Sequence, residues 1–150
     1  PAQIQARHAQ YRQVAAVLPM LQEAGVTIIA GTDAGFLNSF NYPGIGLHQE
    51  LQLFVQEGLT PPQALSAATR SGPAWFGQMD RYGSVTTGKA ADLVLLTANP
   101  LQDIAATGKI DSVILRGHVH DRAALDKMLA DTRARVAAWN DEADKARSAD

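Results

Sequence analysis

The hydrophobic positions of the N-terminal third predict a helix followed by a buried strand. Residues 2–24 place apolar side chains about every 3.6 positions, which is typical of a helix. Pro19 predicts a bend or an end of that helix near Leu18, because an interior proline removes a backbone hydrogen bond. After Gly25, residues 26–30 are apolar and largely β-branched, as in a parallel strand covered on both faces. A helix, a one-glycine turn and a buried strand form half of a βαβ unit.

The middle of the chain predicts a long loop and then further helices. Residues 31–46 contain four glycines, two asparagines and a proline, and loops of this length are uncommon unless they serve a site. A helix over 47–57 follows, and Gly58 ends it. Thr60 and Gln63 form a capping-box pattern for a helix to about residue 69, and a short helical turn is predicted over 71–76.

From residue 78 onward the pattern changes to short apolar runs separated by turns. The runs at 83–85, 92–96 and 112–115 predict small, mostly antiparallel strands. Residues 122–147 predict a helix with one apolar face, and its near-heptad spacing leaves a partner-helix interpretation open beside simple packing.

Composition and charge narrow the class of protein. With 150 residues, 46% hydrophobic and 19% charged, the chain is typical of a soluble globular domain, too short for a (β/α)₈ barrel of about 250 residues. Its net charge of -2, without a basic cluster, predicts no nucleic-acid partner and no membrane partner. The absence of cysteine excludes disulfides, thiolate zinc sites and a cysteine nucleophile. We expect a cytoplasmic protein whose natural N-terminus precedes Pro1.

The clearest candidate for chemistry is Asp33, within the sequence GTDAG directly after the predicted strand. In parallel α/β folds, ligands and catalytic groups gather at the carboxyl ends of strands, so a carboxylate here suits a metal ligand or a base. The competing interpretation is a turn, because Asp before Ala-Gly often bonds its own backbone.

An ordered set of motifs resembles the C-terminal part of the metal-dependent amidohydrolase superfamily, closest to its imidazolonepropionase and prolidase-like branch. The motifs are GVTIIAGTDAG (25–35), LHQEL (47–51), GLTP (58–61), AL (64–65), AAT (67–69), GSV (83–85), GKAADLVL (88–95) and NPL (99–101).

The resemblance implies an α/β fold: the end of a (β/α)₈ barrel, part of a small β-sandwich, and a C-terminal helix. Residues 1–77 would be the last α/β units of the barrel, 78–121 the sandwich portion and 122–150 the helix. Residues 26–30 would be the eighth barrel strand.

The resemblance also implies that Asp33 binds a divalent metal, usually zinc, and takes a proton from the hydrolytic water. The substrate would be a small-molecule or peptide amide. The family's histidine and bridging ligands have no counterpart in this chain, and a catalytic zinc takes three protein ligands. We therefore expect no metal bound by this chain alone and no activity from it.

Other polar residues are weaker candidates. His48, Asn41 and Tyr42, with Asn38 and Ser39, are candidates for substrate contact, beside ordinary helix or loop roles. The pair His118 and His120 has metal-ligand spacing, but a solvated strand end is the favoured interpretation. Asp92 is expected to have a structural hydrogen-bonding role, and Glu50 is expected to be solvated.

A second function stays open beside the enzyme. The chain would then be a stand-alone, non-catalytic binding or assembly module that keeps the amidohydrolase scaffold. In either case, the unpaired edges of residues 26–30 predict self-association or pairing with a missing N-terminal part, because exposed strand edges attract partners.

Overall fold

The computed structural model of the chain describes residues 2–35 and 41–147. It begins with two helices, α1 (Ala2–Ala15) and α2 (Val17–Glu23), where the sequence predicts one interrupted helix. The break falls at Ala16, two residues before the predicted position. Proline clashes with the carbonyl four residues earlier, which here belongs to Ala15, so α1 ends at that residue. Pro19 itself lies in the first turn of α2, where its missing N–H costs nothing.

Three further helices follow the loop, as predicted: α3 (Ile45–Gln56), α4 (Pro61–Thr69) and α5 (Ser71–Trp75). Gly58 ends α3 with φ 109°, and the N–H groups of Gly58 and Leu59 donate to the carbonyls of Val55 and Phe54 at 3.2 and 2.9 Å. This is a Schellman motif, which satisfies the last carbonyls of a helix.

Residues 26–30 do not form the predicted buried strand. They have no ladder partner among the described residues, and Val26 and Ile29 are 45% and 44% exposed. A strand needs a neighbour with which to pair, and the backbone bonds here run to helices instead. The N–H of Val26 donates to the carbonyl of Leu21 in α2 at 2.9 Å, and the N–H of Ala30 donates to the carbonyl of Ala67 in α4 at 3.1 Å.

The core that supports this region is small and lies between α3, α4 and a 3₁₀ helix at Ile104–Gly108. Leu51, Ala64 and Ile104 are buried in it, and Ala30 packs against them. The sequence patterns did not predict the 3₁₀ helix. Its start is capped by Asp103, whose Oδ1 accepts the N–H of Ala105 at 3.0 Å.

The strands form one antiparallel sheet in the order β1 (Leu93–Leu96), β2 (Ile110–Leu115) and β3 (His118–His120). Arg116 and Gly117 join β2 to β3 with φ of 51° and 81°, as in a type I′ turn. The expected structural role of Asp92 is confirmed, because its Oδ1 accepts the N–H of Arg116 at 2.6 Å. The long helix α6 (Arg122–Arg147) completes the chain, as predicted.

The strand predicted at 83–85 is wrong. Gly83 has φ 82° and lies in a bend of the chain. The ammonium of Lys89 donates to the carbonyls of Met79 and Tyr82, so these backbone acceptors are satisfied by a side chain instead of by a sheet.

The chain divides into two compact units. The first comprises the residues up to Ala90 together with Thr97–Lys109, and the second comprises Ala91–Leu96 with the residues from Ile110 onward. The predicted boundaries after residues 77 and 121 stay a prediction. No helix in the described ranges has the length and apolar character that a membrane crossing requires.

The start of α4 carries one testable contact. Gln63 Oε1 accepts the N–H of Thr60 at 2.8 Å, as expected for a capping box. Gln63→Ala is expected to lower the free energy of unfolding by about 0.5–1 kcal/mol, since a helix end loses a partner. Gln52→Ala, at an exposed position of α3, is the matched control, expected within about 0.5 kcal/mol of wild type. Chemical denaturation measures both, and equal stabilities of the two variants would contradict the capping role.

Candidate functional site

Asp33 lies in a short loop, residues 31–35, which we call the Asp33 loop. The loop begins directly after Ala30, whose side chain packs on the core and whose N–H is bonded to α4. Asp33 is exposed and has φ 50°, in the left-handed region that few residues other than glycine adopt. The carboxylate is therefore accessible, on a backbone that is anchored immediately upstream.

Glu50 of α3 contacts this loop, contrary to its expected solvation. Its Oε1 accepts the N–H of Gly31 at 3.0 Å. Its Oε2 is buried and has no hydrogen-bond partner among the described residues. The sequence held a signal for this placement: Leu47, Leu53 and Phe54 stand three or four positions from Glu50, so Glu50 lies within the apolar stripe of α3.

Asn41 contacts the same loop at the next residue, Thr32. Its amide Nδ2 donates to the carbonyl of Thr32. Gly46, the second residue of α3, makes room for this arrangement, because a Cβ there would lie 2.5 Å from Asn41 Oδ1.

A cavity of about 360 Å³ lies beside the Asp33 loop. It is lined by Gly31, Thr32, Asn41, Gly46, Gln49, Glu50 and Leu53. Of the predicted site residues, Asn41 lines it, so the structure brings Asn41 and the Asp33 loop together.

His48 makes a different contact. Its Nδ1 lies 3.1 Å from Oγ1 of the buried Thr107, and that hydroxyl donates to the carbonyl of Ile104 at 2.9 Å. Which atom donates in the bond between His48 and Thr107 depends on the tautomer of the imidazole. In this arrangement His48 joins α3 to the 3₁₀ helix. Its expected contact with substrate stays a prediction.

The remaining loop candidates are less informative. Tyr42 is 59% exposed, and its carbonyl accepts the N–H of Gly46 at 2.9 Å. Asn38 and Ser39 lie outside the described residues.

Within the described ranges, no group of three or more His, Asp or Glu side chains is arranged to hold a metal ion. His118 and His120 lie on β3, opposite Leu115 and Val113 of β2. Asp33 therefore belongs to no such group in this part of the chain, whereas a catalytic zinc takes three protein ligands.

A larger apolar groove of about 590 Å³ lies between α1, α2 and α3, and Asp33 is not one of its lining residues. Burial raises the pKa of the Tyr11 hydroxyl there, and Glu57, which accepts its hydrogen bond, raises this pKa further because it disfavours the phenolate.

The contact between Gly46 and Asn41 gives a testable prediction. Gly46→Ala is expected to displace the Asn41 amide and to lower the free energy of unfolding by about 1–3 kcal/mol, the usual effect of overpacking. Gly72→Ala is the matched control, since Gly72 is also the second residue of a helix but has no atom within 4 Å of an added Cβ. Thermal unfolding compares the two variants, and a Gly46→Ala protein as stable as Gly72→Ala would contradict the predicted clash.

Comparison with known proteins shows the family to which these features belong. Residues 5–120 match the amidohydrolase family. An ochratoxinase from Aspergillus niger is 40% identical over 84 residues, which cover 55% of this chain and 16% of that protein. An imidazolonepropionase from Deinococcus deserti is 38% identical over 88 residues, covering 58% of this chain and 21% of the relative.

Solved structures agree with this assignment. A Xaa-Pro dipeptidase with bound methionine in its active site superposes with a TM-score of 0.62 at 30% identity, covering 73% of this chain and 26% of that chain. A molinate hydrolase superposes with a TM-score of 0.60 at 28% identity, covering 68% and 25%. The chain therefore spans about a quarter or less of the length of these proteins.

Proposed function

Because the chain belongs to the amidohydrolase family, in its imidazolonepropionase and prolidase-like branch, we propose that it is the C-terminal part of a metal-dependent hydrolase of C–N bonds. The observation that carries the proposal is Asp33, an exposed carboxylate on a left-handed residue directly after a segment fixed to the core. In this proposal Asp33 is both a metal ligand and the acceptor of a proton.

The donor chemistry of the site fits a divalent metal in part. Carboxylate oxygen is a regular zinc ligand, and Asp33 is accessible. Among the described residues Asp33 belongs to no group of three or more His, Asp or Glu that could hold a metal ion, so the remaining ligands would come from other parts of the full-length protein. Zinc is the metal we propose, and the chain by itself would be inactive.

The proposed chemistry is hydrolysis of an amide by activated water. When bound, the metal would act as a Lewis acid and lower the pKa of a water molecule to about 7. The Asp33 carboxylate would accept a proton from the attacking water as the water oxygen bonds to the amide carbonyl carbon. Asp33 then returns the proton to the leaving amine, which departs neutral as the C–N bond breaks. A carboxylate within hydrogen-bond reach can serve in both steps.

The proposed substrate is a small-molecule or peptide amide, and His48, Asn41 and Tyr42 are proposed to contact it. The names of two proteins described above support this: one is a Xaa-Pro dipeptidase, named for a peptide, and the other is a molinate hydrolase, named for a small molecule. The expected cytoplasmic location stays a prediction. The test of the function is Asp33→Asn in the full-length protein, for which we expect turnover and metal content to fall.

We also propose that residues 1–77 are the last α/β units of a (β/α)₈ barrel and that part of a β-sandwich follows. Residues 26–30 would pair with barrel strands that lie outside this chain. The solvent exposure of this apolar segment supports the proposal: Val26 and Ile29 are 45% and 44% exposed, and exposed apolar surface is typical of an interaction site.

Exposed apolar residues at an unpaired segment also favour the second candidate, an assembly module that self-associates. Size-exclusion chromatography of this chain, together with metal analysis, separates the two functions. A metal-free oligomer that also stays inactive when mixed with the rest of the protein would support the module. Recovery of metal binding and turnover on mixing would support the enzyme.

A further inference from the structure

Two side chains hold the backbone directly ahead of Asp33. Glu50 Oε1 accepts the N–H of Gly31 at 3.0 Å, and Asn41 Nδ2 donates to the carbonyl of Thr32. The first contact fixes the peptide between residues 30 and 31, and the second fixes the peptide between residues 32 and 33. The start of the Asp33 loop is thus bonded on both sides of Thr32.

Asp33 itself needs such support. Its φ of 50° lies in a sparsely populated region for a residue with a Cβ, and such conformations persist only where surrounding contacts determine them. Gly35, two residues further on, also has a positive φ, of 96°. The direction of the Asp33 carboxylate therefore depends on how firmly residues 31 and 32 are held.

We propose that Glu50 is a positioning residue, which sets the direction of the Asp33 carboxylate through its bond to the Gly31 N–H. The proposal rests on the proposed function, in which Asp33 binds metal. Glu50 suits this role because its neighbour Leu51 is only 4% exposed and anchors α3 in the core. A carboxylate on an anchored helix presents its oxygen from a fixed place, and charge strengthens a bond to a backbone N–H.

The two oxygens of Glu50 allow the contact to be tested separately from the charge. Oε1 bonds Gly31, whereas Oε2 is buried without a partner among the described residues. Glu50→Gln keeps a carbonyl oxygen that can accept the Gly31 N–H, and Glu50→Ala removes it. The glutamine variant is therefore expected to restore most of what the alanine variant loses.

The experiment measures zinc affinity by chelator competition, together with kcat and KM, in the full-length protein. Glu50→Ala is expected to weaken zinc binding and lower kcat by about 10–100-fold, the usual effect of removing a group that orients a metal ligand, with KM changed by less than about 3-fold. Glu50→Gln is expected within about 5-fold of wild type. Gln63→Ala is the stability control: it lowers the melting temperature through α4 and leaves zinc affinity and kcat unchanged.

A double-mutant cycle separates this inference from the proposed function. If Glu50 acts through Asp33, Glu50→Ala adds less than about 3-fold to the loss of zinc affinity already caused by Asp33→Asn. Wild-type zinc affinity in Glu50→Ala, a Glu50→Gln protein as impaired as Glu50→Ala, or fully additive losses would each overturn the inference. Wild-type zinc affinity and turnover in Asp33→Asn would instead overturn the proposed function.

Discussion

Replacing Asp33 with asparagine in the full-length protein is expected to lower kcat/KM by about 10²–10⁴-fold and to reduce the bound metal. Asparagine cannot accept a proton from water at neutral pH, and the loss of a general base has an effect of this size. The substitution tests chemistry more than folding, because asparagine has nearly the same shape and also tolerates the left-handed φ of 50° at this position. Steady-state kinetics and metal analysis of the purified variant measure both effects.

Asp126→Asn is the matched control for the loss of one carboxylate. Asp126 forms an exposed ion pair with Arg122 on α6 at 2.8 Å, and such pairs contribute little to stability. The control is expected to keep kcat/KM within about 2-fold of wild type, because a surface charge on α6 has no part in the proposed chemistry. Normal turnover and metal content in Asp33→Asn would contradict the assignment of Asp33.

Leu51→Ala is expected to cause the largest loss of stability in the first unit, about 2–5 kcal/mol. Leu51 is 4% exposed and packs in a cluster with Ala64 and Ile104, at 0% and 6%. Removing its side chain leaves a cavity that this small core cannot fill by collapse. Chemical denaturation of the full-length variant measures the effect, with the unfolding of this region as the monitored signal.

Leu101→Ala is the control, since Leu101 is 55% exposed and its truncation removes little buried surface. We expect this control to stay within about 1 kcal/mol of wild type, because its side chain is not part of the cluster. If Leu51→Ala were as stable as Leu101→Ala, the cluster around Leu51 would not be the core that supports α3 and the Asp33 loop.

Local signals predicted the helices well. The presence of Pro19 predicted the division between α1 and α2. Helix α1 ends at the residue whose carbonyl the proline ring would contact, four positions before Pro19. Gly58 and the pair Thr60 and Gln63 marked the end of α3 and the start of α4. These features depend on contacts between residues close in sequence, which a sequence pattern contains.

Features that depend on distant partners could not be predicted in the same way. Residues 26–30 have the composition of a buried strand, but no segment among the described residues pairs with them, and the N–H of Ala30 bonds to α4 instead. The strand predicted at 83–85 does not form either: Gly83 has φ 82°, and the Lys89 ammonium donates to the carbonyls of Met79 and Tyr82 just before it. Whether a segment forms a strand depends more on the segments beside it in the fold than on its own composition.

The sequence predicts the chemistry of the candidate site, a carboxylate at Asp33, but not the contacts that support its loop. The strand-like run at 26–30 and the glycines on either side of Asp33 mark this residue as the candidate. The bond between Glu50 and Gly31 spans 19 positions, and no local pattern reports it. A charged residue inside the apolar stripe of α3 was the available signal, because such a residue needs a partner.

The most direct test of the account is a crystal structure of the full-length protein with zinc bound, with the metal placed by anomalous scattering. The account predicts a carboxylate oxygen of Asp33 at about 2.0–2.2 Å from the zinc, the usual distance for this ligand, with Glu50 still bonded to the Gly31 N–H. A zinc ion with a complete ligand set that excludes Asp33 would contradict it.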